Sequence, residues 1–244
     1  MPVFFIHSTD VANGVVTIAD PLLSHISKSL RAKPGDALLF NDDQGYRYHT
    51  TISQITKKFL EATVKQIESP PLSTRPNLVL VHAVLKGEKM GWVIQKATEL
   101  GTSTIIPLIT DRVILKLAGK QEESHRARWQ RIALEAAQQS ERWTLPSIAP
   151  LQTFQQFIET PRQSQPIFMA EREKGASLLT VPISKEKPEH EITVMIGPEG
   201  GWSPKEVEAA QSDNCTFASF GSEILRAETA SLAALAILQA RLNA

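Results

Sequence analysis

The chain has 244 residues, 42% of them hydrophobic, with 26 lysines and arginines balancing 26 aspartates and glutamates, and a single cysteine. A chain of this size can bury one large core or two smaller ones. Zero net charge excludes a general attraction to nucleic acid or membrane and leaves only local basic patches, while Cys215 alone excludes an internal disulfide and fits the reducing cytoplasm.

The N-terminal "MPVFFIHSTD" has no basic leader, and no run reaches the roughly 18 apolar residues of a membrane span, so a soluble protein with no membrane partner is expected. The next elements are short and alternating, "DALLF", "GYRYHTTI" and "FLEATVKQI", separated by the turn signals "KPGD" and "NDDQG". Period-two alternation between such turns predicts a small β-barrel. At "ESPPLSTRPN", Pro70, Pro71 and Pro76 forbid regular structure and predict a linker, which sets domains at 1–70 and 76–244. Beyond it, strand-like runs ("NLVLVHAVL", "STIIPLIT", "QPIFMA", "ITVMIG", "TFASFG") alternate with helical ones ("MGWVIQKATEL", "SHRARWQRIALEAAQQSE", "PKEVEAAQS", "ETASLAALAILQARL"). That alternation predicts an α/β domain with a mostly parallel sheet.

Two strand-to-helix turns carry candidate chemistry. In "MIGPEGGWSPKEVEAA" a buried strand runs into Gly197, Gly200 and Gly201. A helix then starts: Ser203 and Glu206 spell a capping box, Pro204 takes the first helical position, and Trp202 and Val207 have the spacing of a hydrophobic staple. Ligands of open α/β sheets sit at the carboxyl ends of strands, where glycines let backbone amides approach them; the same glycines also suit a bare tight connection. In "FGSEILRAETASLAALAILQA", Gly221 ends a strand, and Arg226, Glu228 and Thr229 open a helix that is apolar almost all round. Such a helix must be buried, and a second subunit is a natural cover. Arg226 and Glu228 are either an ion pair holding the turn or groups aimed at a ligand.

Other chemistries find no support. "GPEGG" is neither a dinucleotide fingerprint nor a P-loop. His7, His25, His49, His82, His125 and His190 are scattered without an H-x-x-x-H pair, so no metal site is expected. There is no G-x-S-x-G elbow, and Cys215 at the start of a strand-like run reads as a buried structural thiol.

Taken together, "IGPEGG" (196–201), "ILRAETA" (224–230), "KGEKMGWVIQKATELG" (86–101) and "IALEAAQQSER" (132–142) resemble the ribosomal RNA small-subunit methyltransferase E family, from about residue 25 to the end of the chain. The resemblance implies a PUA-like β-barrel followed by a SPOUT-type α/β domain with a deep C-terminal trefoil knot. It implies S-adenosylmethionine as cofactor, a homodimer through the SPOUT domain, and methylation of N3 of one uridine in 16S ribosomal RNA of the small subunit. Two other readings share the fold: an RNA-binding or ribosome-assembly protein, and a methyltransferase acting at another RNA site. Two glycine loops together with Arg226 favour activity, because a binding module needs no cofactor pocket.

On the family's pattern the cofactor would be held by Ile196, Gly197, Glu199, Gly200 and Gly201, by Phe220, Gly221, Ser222, Ile224, Leu225, Arg226 and Thr229, and by the strand end at Ala170 and Glu171. Arg226 is the catalytic candidate: its planar fork of donors suits the negative charge that spreads to the uracil oxygens as N3 loses its proton. The base is open between Glu199 and Glu228. Lys28, Arg31, Lys33, Lys86, Lys89, Arg112 and Arg142 are the candidate RNA contacts. The chain departs from the pattern in having no arginine in "MPVFFIHS", in Glu223 where many members are basic, and in Gly91 where many are acidic.

Overall fold

The computed structural model describes residues 3–72, 75–113, 119–162, 165–170, 175–183 and 191–243. The chain divides into two compact units, Met1–Leu72 with Ala137–Leu145, and Ser73–Ala136 with Pro146–Ala244.

The first unit contains β1 (Val3–Phe5), β2 (Val11–Ala12), β3 (Val15–Ile18), a helical turn α1 (Leu22–Ser24), β4 (Ala37–Asn41), β5 (Arg47–Ile55) and β6 (Leu60–Glu68). They pair in the order β1-β4-β5-β6-β3-β2, with only β1 and β4 parallel. β1 and β2 end the path instead of pairing, so among the described residues the expected barrel is a six-stranded sheet with two edges. Its pattern follows the pleat: Tyr48, Thr50 and Ile52 of β5 are buried between half-buried Arg47, His49 and Thr51. Tyr48 and Ile52 join Phe4, Ile26, Phe40 and Leu60 in one core. Residues 137–145 are fastened to this unit by polar contacts. Arg47 lies 4.0 Å over the Trp143 ring and donates to the Glu141 carbonyl at 2.9 Å. The buried Asn41 amide donates to the carbonyls of Arg142 and Trp143 at 2.8 and 3.1 Å.

The second unit contains β7 (Asn77–Ala83), α2 (Lys89–Glu99), β8 (Thr104–Ile109), α3 (Lys120–Gln139, whose last residues belong to the first unit), β9 (Ser147–Ile148), β10 (Gln152–Thr153), α4 (Phe154–Glu159), β11 (Ile167–Met169), β12 (Ala176–Ser177), β13 (Glu191–Ile196), α5 (Pro204–Ser212), β14 (Thr216–Ser219) and α6 (Ala227–Asn243). The strands pair in the order β10-β8-β7-β13-β11-β14-β12, with β9 also on β8, and every pairing is parallel. A parallel sheet is covered on both faces, which explains the unbroken apolar runs. Leu78 and Leu80 of β7 face one core with Ile94, Trp129 and Leu235, whereas Val79 and Val81 face another with Phe154, Phe157 and Ala210. Because all strands point one way, Ala83, Ile109, Met169, Ile196 and Ser219 end at the same edge of the sheet, although they lie far apart in sequence.

The last helix differs from the sequence expectation. α6 buries Ala227, Ala230, Ser231, Ala234, Leu235, Leu238 and Leu242 against its own chain, packing on α2 and β13. Ala236 and Ala240 are exposed on its other side, with Ala233 half-buried, while the half-buried Ile237 packs against the core. An apolar helix thus meets one core through one stripe and keeps a second stripe open.

Candidate active site

The turn after β13 is fixed by its neighbours. A Cβ on Gly197 would lie 3.0 Å from the indole of Trp202. That indole stacks on Phe168 with ring centroids 4.6 Å apart, and its Nε1–H donates to the Met169 carbonyl at 2.9 Å. Gly197 is therefore small because the indole crosses the strand end, and the contact ties β13 to β11 beside the buried Ala170, whose N–H donates to Ala218 at 3.0 Å. Gly200 is pressed by Arg112, whose Cβ would be 3.3 Å from an added Cβ and whose Nη1 donates to the Gly200 carbonyl at 2.8 Å. Gly201 has φ +71°, a backbone that side chains resist, and its N–H donates to the Pro198 carbonyl at 2.9 Å.

The predicted capping box forms: Glu206 N–H donates to Ser203 Oγ at 3.3 Å and Ser203 N–H to Glu206 Oε2 at 2.8 Å. It extends further than the motif specifies. The buried Glu206 also accepts from Asp111 N–H at 2.9 Å, and Ser203 Oγ donates to Asp111 at 2.6 Å, so α5 is locked to the turn after β8. Both oxygens of a buried carboxylate are thereby satisfied, which removes most of the penalty for burying it.

The loop from Phe220 to Arg226 contrasts with this. Gly221, Ser222, Glu223, Ile224 and Arg226 are exposed, and Ile224 is 63% exposed although apolar. Gly221 has φ +115° with open space where a Cβ would stand. Among the described residues, the backbone groups of 221–225 make no backbone hydrogen bond; the ladder resumes where Ala230 N–H reaches the Arg226 carbonyl at 2.8 Å. Backbone donors and acceptors are thus presented at the carboxyl edge of the sheet, available to a ligand. The Arg226 guanidinium has no partner among the described residues, and Thr229 is exposed on the first turn of α6.

A charge cluster joins the two loops. Lys89 Nζ lies 3.1 Å from Glu199 Oε1 and 3.5 Å from Glu228 Oε1, linking the glycine turn, the first turn of α6 and the start of α2. The partner of Glu228 is therefore Lys89, not Arg226. The hydrogen bond to Glu199 and the charge of both carboxylates raise the Lys89 pKa. Glu228 Oε2 is buried and has no partner among the described residues.

Beneath the cluster, fully buried His82 at the end of β7 has Nδ1 2.6 Å from the Ala83 carbonyl and Nε2 2.7 Å from Ser231 Oγ. A carbonyl only accepts, so Nδ1 carries the proton. The Ser231 hydroxyl donates to the Ala227 carbonyl at 2.7 Å, and its oxygen closes the contact with Nε2. Desolvation pulls the His82 pKa down to about 4, which keeps the ring neutral. Neither His82 nor Asp111 stood out in the sequence. The only signals were a histidine inside an apolar strand and a capping glutamate with an oxygen to spare.

The expected RNA contacts fall in several environments. Lys28, Arg31 and Lys33 are exposed around the segment after α1, with Arg31 at φ +53°, and Lys86 is exposed in the turn from β7 to α2. Lys89 and Arg112 are engaged with the glycine turn as described. Arg142 is half-buried in the first unit, and desolvation draws its guanidinium pKa down to about 10. Glu171 and His190 lie outside the described residues. Burial pushes the Cys215 thiol up to about 12, consistent with an inert structural residue. Among the described residues no group of three or more histidines, cysteines or carboxylates converges on a metal position, and no helix is long and apolar enough to cross a membrane.

The fold has counterparts in known proteins. A model of the RNA methyltransferase domain matches residues 73–239, and a model of the RNA methyltransferase PUA domain matches residues 18–65. The ribosomal RNA small subunit methyltransferase E of Synechocystis sp. is 32% identical over 237 residues, covering 96% of this chain and 75% of the relative. That of Rickettsia conorii is 33% identical over 235 residues, covering 95% and 92%. The crystal structure of the corresponding Neisseria gonorrhoeae enzyme, bound to S-adenosyl methionine, superposes with a TM-score of 0.85 at 28% identity, covering 99% of this chain and 98% of that one.

Proposed function

Because the chain belongs to the ribosomal RNA small subunit methyltransferase E family, we propose that it transfers the methyl group of S-adenosylmethionine to N3 of one uridine in 16S ribosomal RNA. The observation that carries this reading is the backbone of 221–225, without a backbone hydrogen bond among the described residues, at the same sheet edge as the glycine turn. Adenine recognition by backbone needs such a surface, and Gly221 leaves room for it. The cofactor supplies an activated methyl sulfonium when bound.

The chain's own residues supply position. Ile196, Gly197, Glu199, Gly200 and Gly201 form one wall, Phe220, Gly221, Ser222, Ile224, Leu225, Arg226 and Thr229 a second, and Ala170 at the end of β11 a third. Alignment of two reactants contributes up to roughly 7–11 kcal/mol, most of what this transfer needs. Arg226, exposed and unpaired among the described residues, donates to the uracil oxygens as negative charge develops there. The N3 proton has two carboxylates near its path, Glu199 and Glu228, both oriented by Lys89.

The same reading includes a PUA-like RNA-binding domain at 1–70, a methyltransferase domain at 76–244 and a deep trefoil knot; the knot is supported by β13 lying between β7 and β11 with β14 beyond. It includes a homodimer through the open stripe of α6 and action in the cytoplasm on the small subunit. The test is calorimetry with S-adenosylmethionine and with ATP, followed by mass mapping of methylated nucleotides on unmodified small subunits. We expect cofactor binding, no ATP signal and one new N3-methyluridine. ATP binding without a cofactor signal would overturn the reading.

A further inference from the structure

The ladder between β11 and β13 ends at Phe168↔Met195, although the two strands continue to Met169 and Ile196. On its other side Met169 still pairs with Ala218 of β14, and the next N–H, that of Ala170, donates to the Ala218 carbonyl. The N–H and C=O of one trans peptide point opposite ways, so the Met169 carbonyl of that peptide is directed towards β13. There the Trp202 indole meets it, Nε1–H donating at 2.9 Å. A side chain from the turn after β13 thus supplies a rung that the β13 backbone does not.

The indole is fitted closely into this gap. It stacks on the fully buried Phe168 with ring centroids 4.6 Å apart and lies 5.5 Å from the Phe154 ring of α4. Gly197 leaves it no slack, since a Cβ there would stand 3.0 Å from the ring. Open parallel sheets bind ligands in the crevice outside the carboxyl ends of their strands. Ala170 and Gly197 follow the last residues of β11 and β13 directly, and the indole joins these two ends. What fixes the indole therefore fixes how far apart two walls of the cofactor site stand.

We infer that Trp202 is a positioning residue for S-adenosylmethionine: it bridges the ends of β11 and β13 and sets the separation of the Ala170 and Gly197 walls. The inference rests on the reading that this edge binds the cofactor.

The test uses the full chain. Trp202→Phe keeps a ring against Phe168 but has no N–H, and calorimetry should show it binding S-adenosylmethionine about fivefold more weakly, the worth of one neutral hydrogen bond. KM for the cofactor should rise in the same ratio, with kcat at saturation and KM for unmodified small subunits at their wild-type values. A second readout needs no change at position 202. With 5-fluorotryptophan in place of the four tryptophans, Trp92→Phe, Trp129→Phe and Trp143→Phe assign three fluorine resonances and leave the fourth to Trp202. That fourth resonance should move as S-adenosylmethionine binds. An unchanged cofactor affinity in a folded Trp202→Phe variant overturns the inference, whatever its urea midpoint, because a tryptophan that serves the fold alone would alter only the midpoint. If the variant does not fold, the wild-type resonance decides, and one that stays in place on cofactor binding overturns the inference. In both cases binding of S-adenosylmethionine by the wild type leaves the methyltransferase reading standing. A wild type that binds none overturns both.

Discussion

At the scale of single residues, the site sorts into groups that hold and groups that wait. Lys89 holds: it is occupied by two carboxylates, so its charge serves the junction of two loops and not an RNA phosphate. Arg226 waits. Replacing it with lysine keeps the charge but removes the planar fork, and single-turnover methyl transfer at saturating cofactor and RNA should slow by about a hundredfold with RNA affinity little changed. Equal rates would reassign Arg226 to binding. His82 makes a prediction about pH. Its folded pKa of about 4 lies below the ordinary value of 6.5, so the neutral form is favoured by the fold, and stability present above pH 6.5 is lost as pH falls towards 4. The full effect is of order 3 kcal/mol. Urea midpoints should therefore fall more between pH 7 and pH 4.5 in the wild type than in His82→Gln, and parallel falls would exclude His82 as the source. The sequence displayed Arg226 and both glycine turns because they are local motifs. It hid His82–Ser231 and Asp111–Glu206, because each joins positions 149 and 95 residues apart.

At the scale of elements, what was legible followed from periodicity and capping. The apolar runs at 77–83, 104–109 and 191–196 are strands, and Ser203 and Glu206 cap α5 as spelled. The reasons for the glycines were not legible. Gly197 and Gly200 accommodate Trp202 and Arg112, so the first glycine turn is shaped by the protein's own packing, whereas Gly221 in the second turn has open space among the described residues. Sequence specifies that a side chain is absent at such a position but not what takes its place. Strand order was equally hidden, since β13 enters between β7 and β11 by pairings that local pattern cannot encode.

At the scale of the molecule, α6 and the segment 137–145 carry the consequences. Half-buried Ala233 and exposed Ala236 and Ala240 recur at helical spacing, and this is the surface on which we propose that a second copy packs. Sedimentation at micromolar concentration should give a dimer for the wild type and a monomer for Ala236→Asp, with unchanged far-ultraviolet dichroism; a wild-type monomer would reject the interface. The first unit is discontinuous: Arg47 and Asn41 bond carbonyls that follow 94 and 101 residues later in the chain. During synthesis the polypeptide emerges from its N-terminus, so the first sheet spends the interval with a buried amide unanswered and an arginine without its aromatic cover. Vectorial synthesis, which usually lets a leading domain finish before its successor begins, here leaves the leading one unfinished until the other is more than a third made.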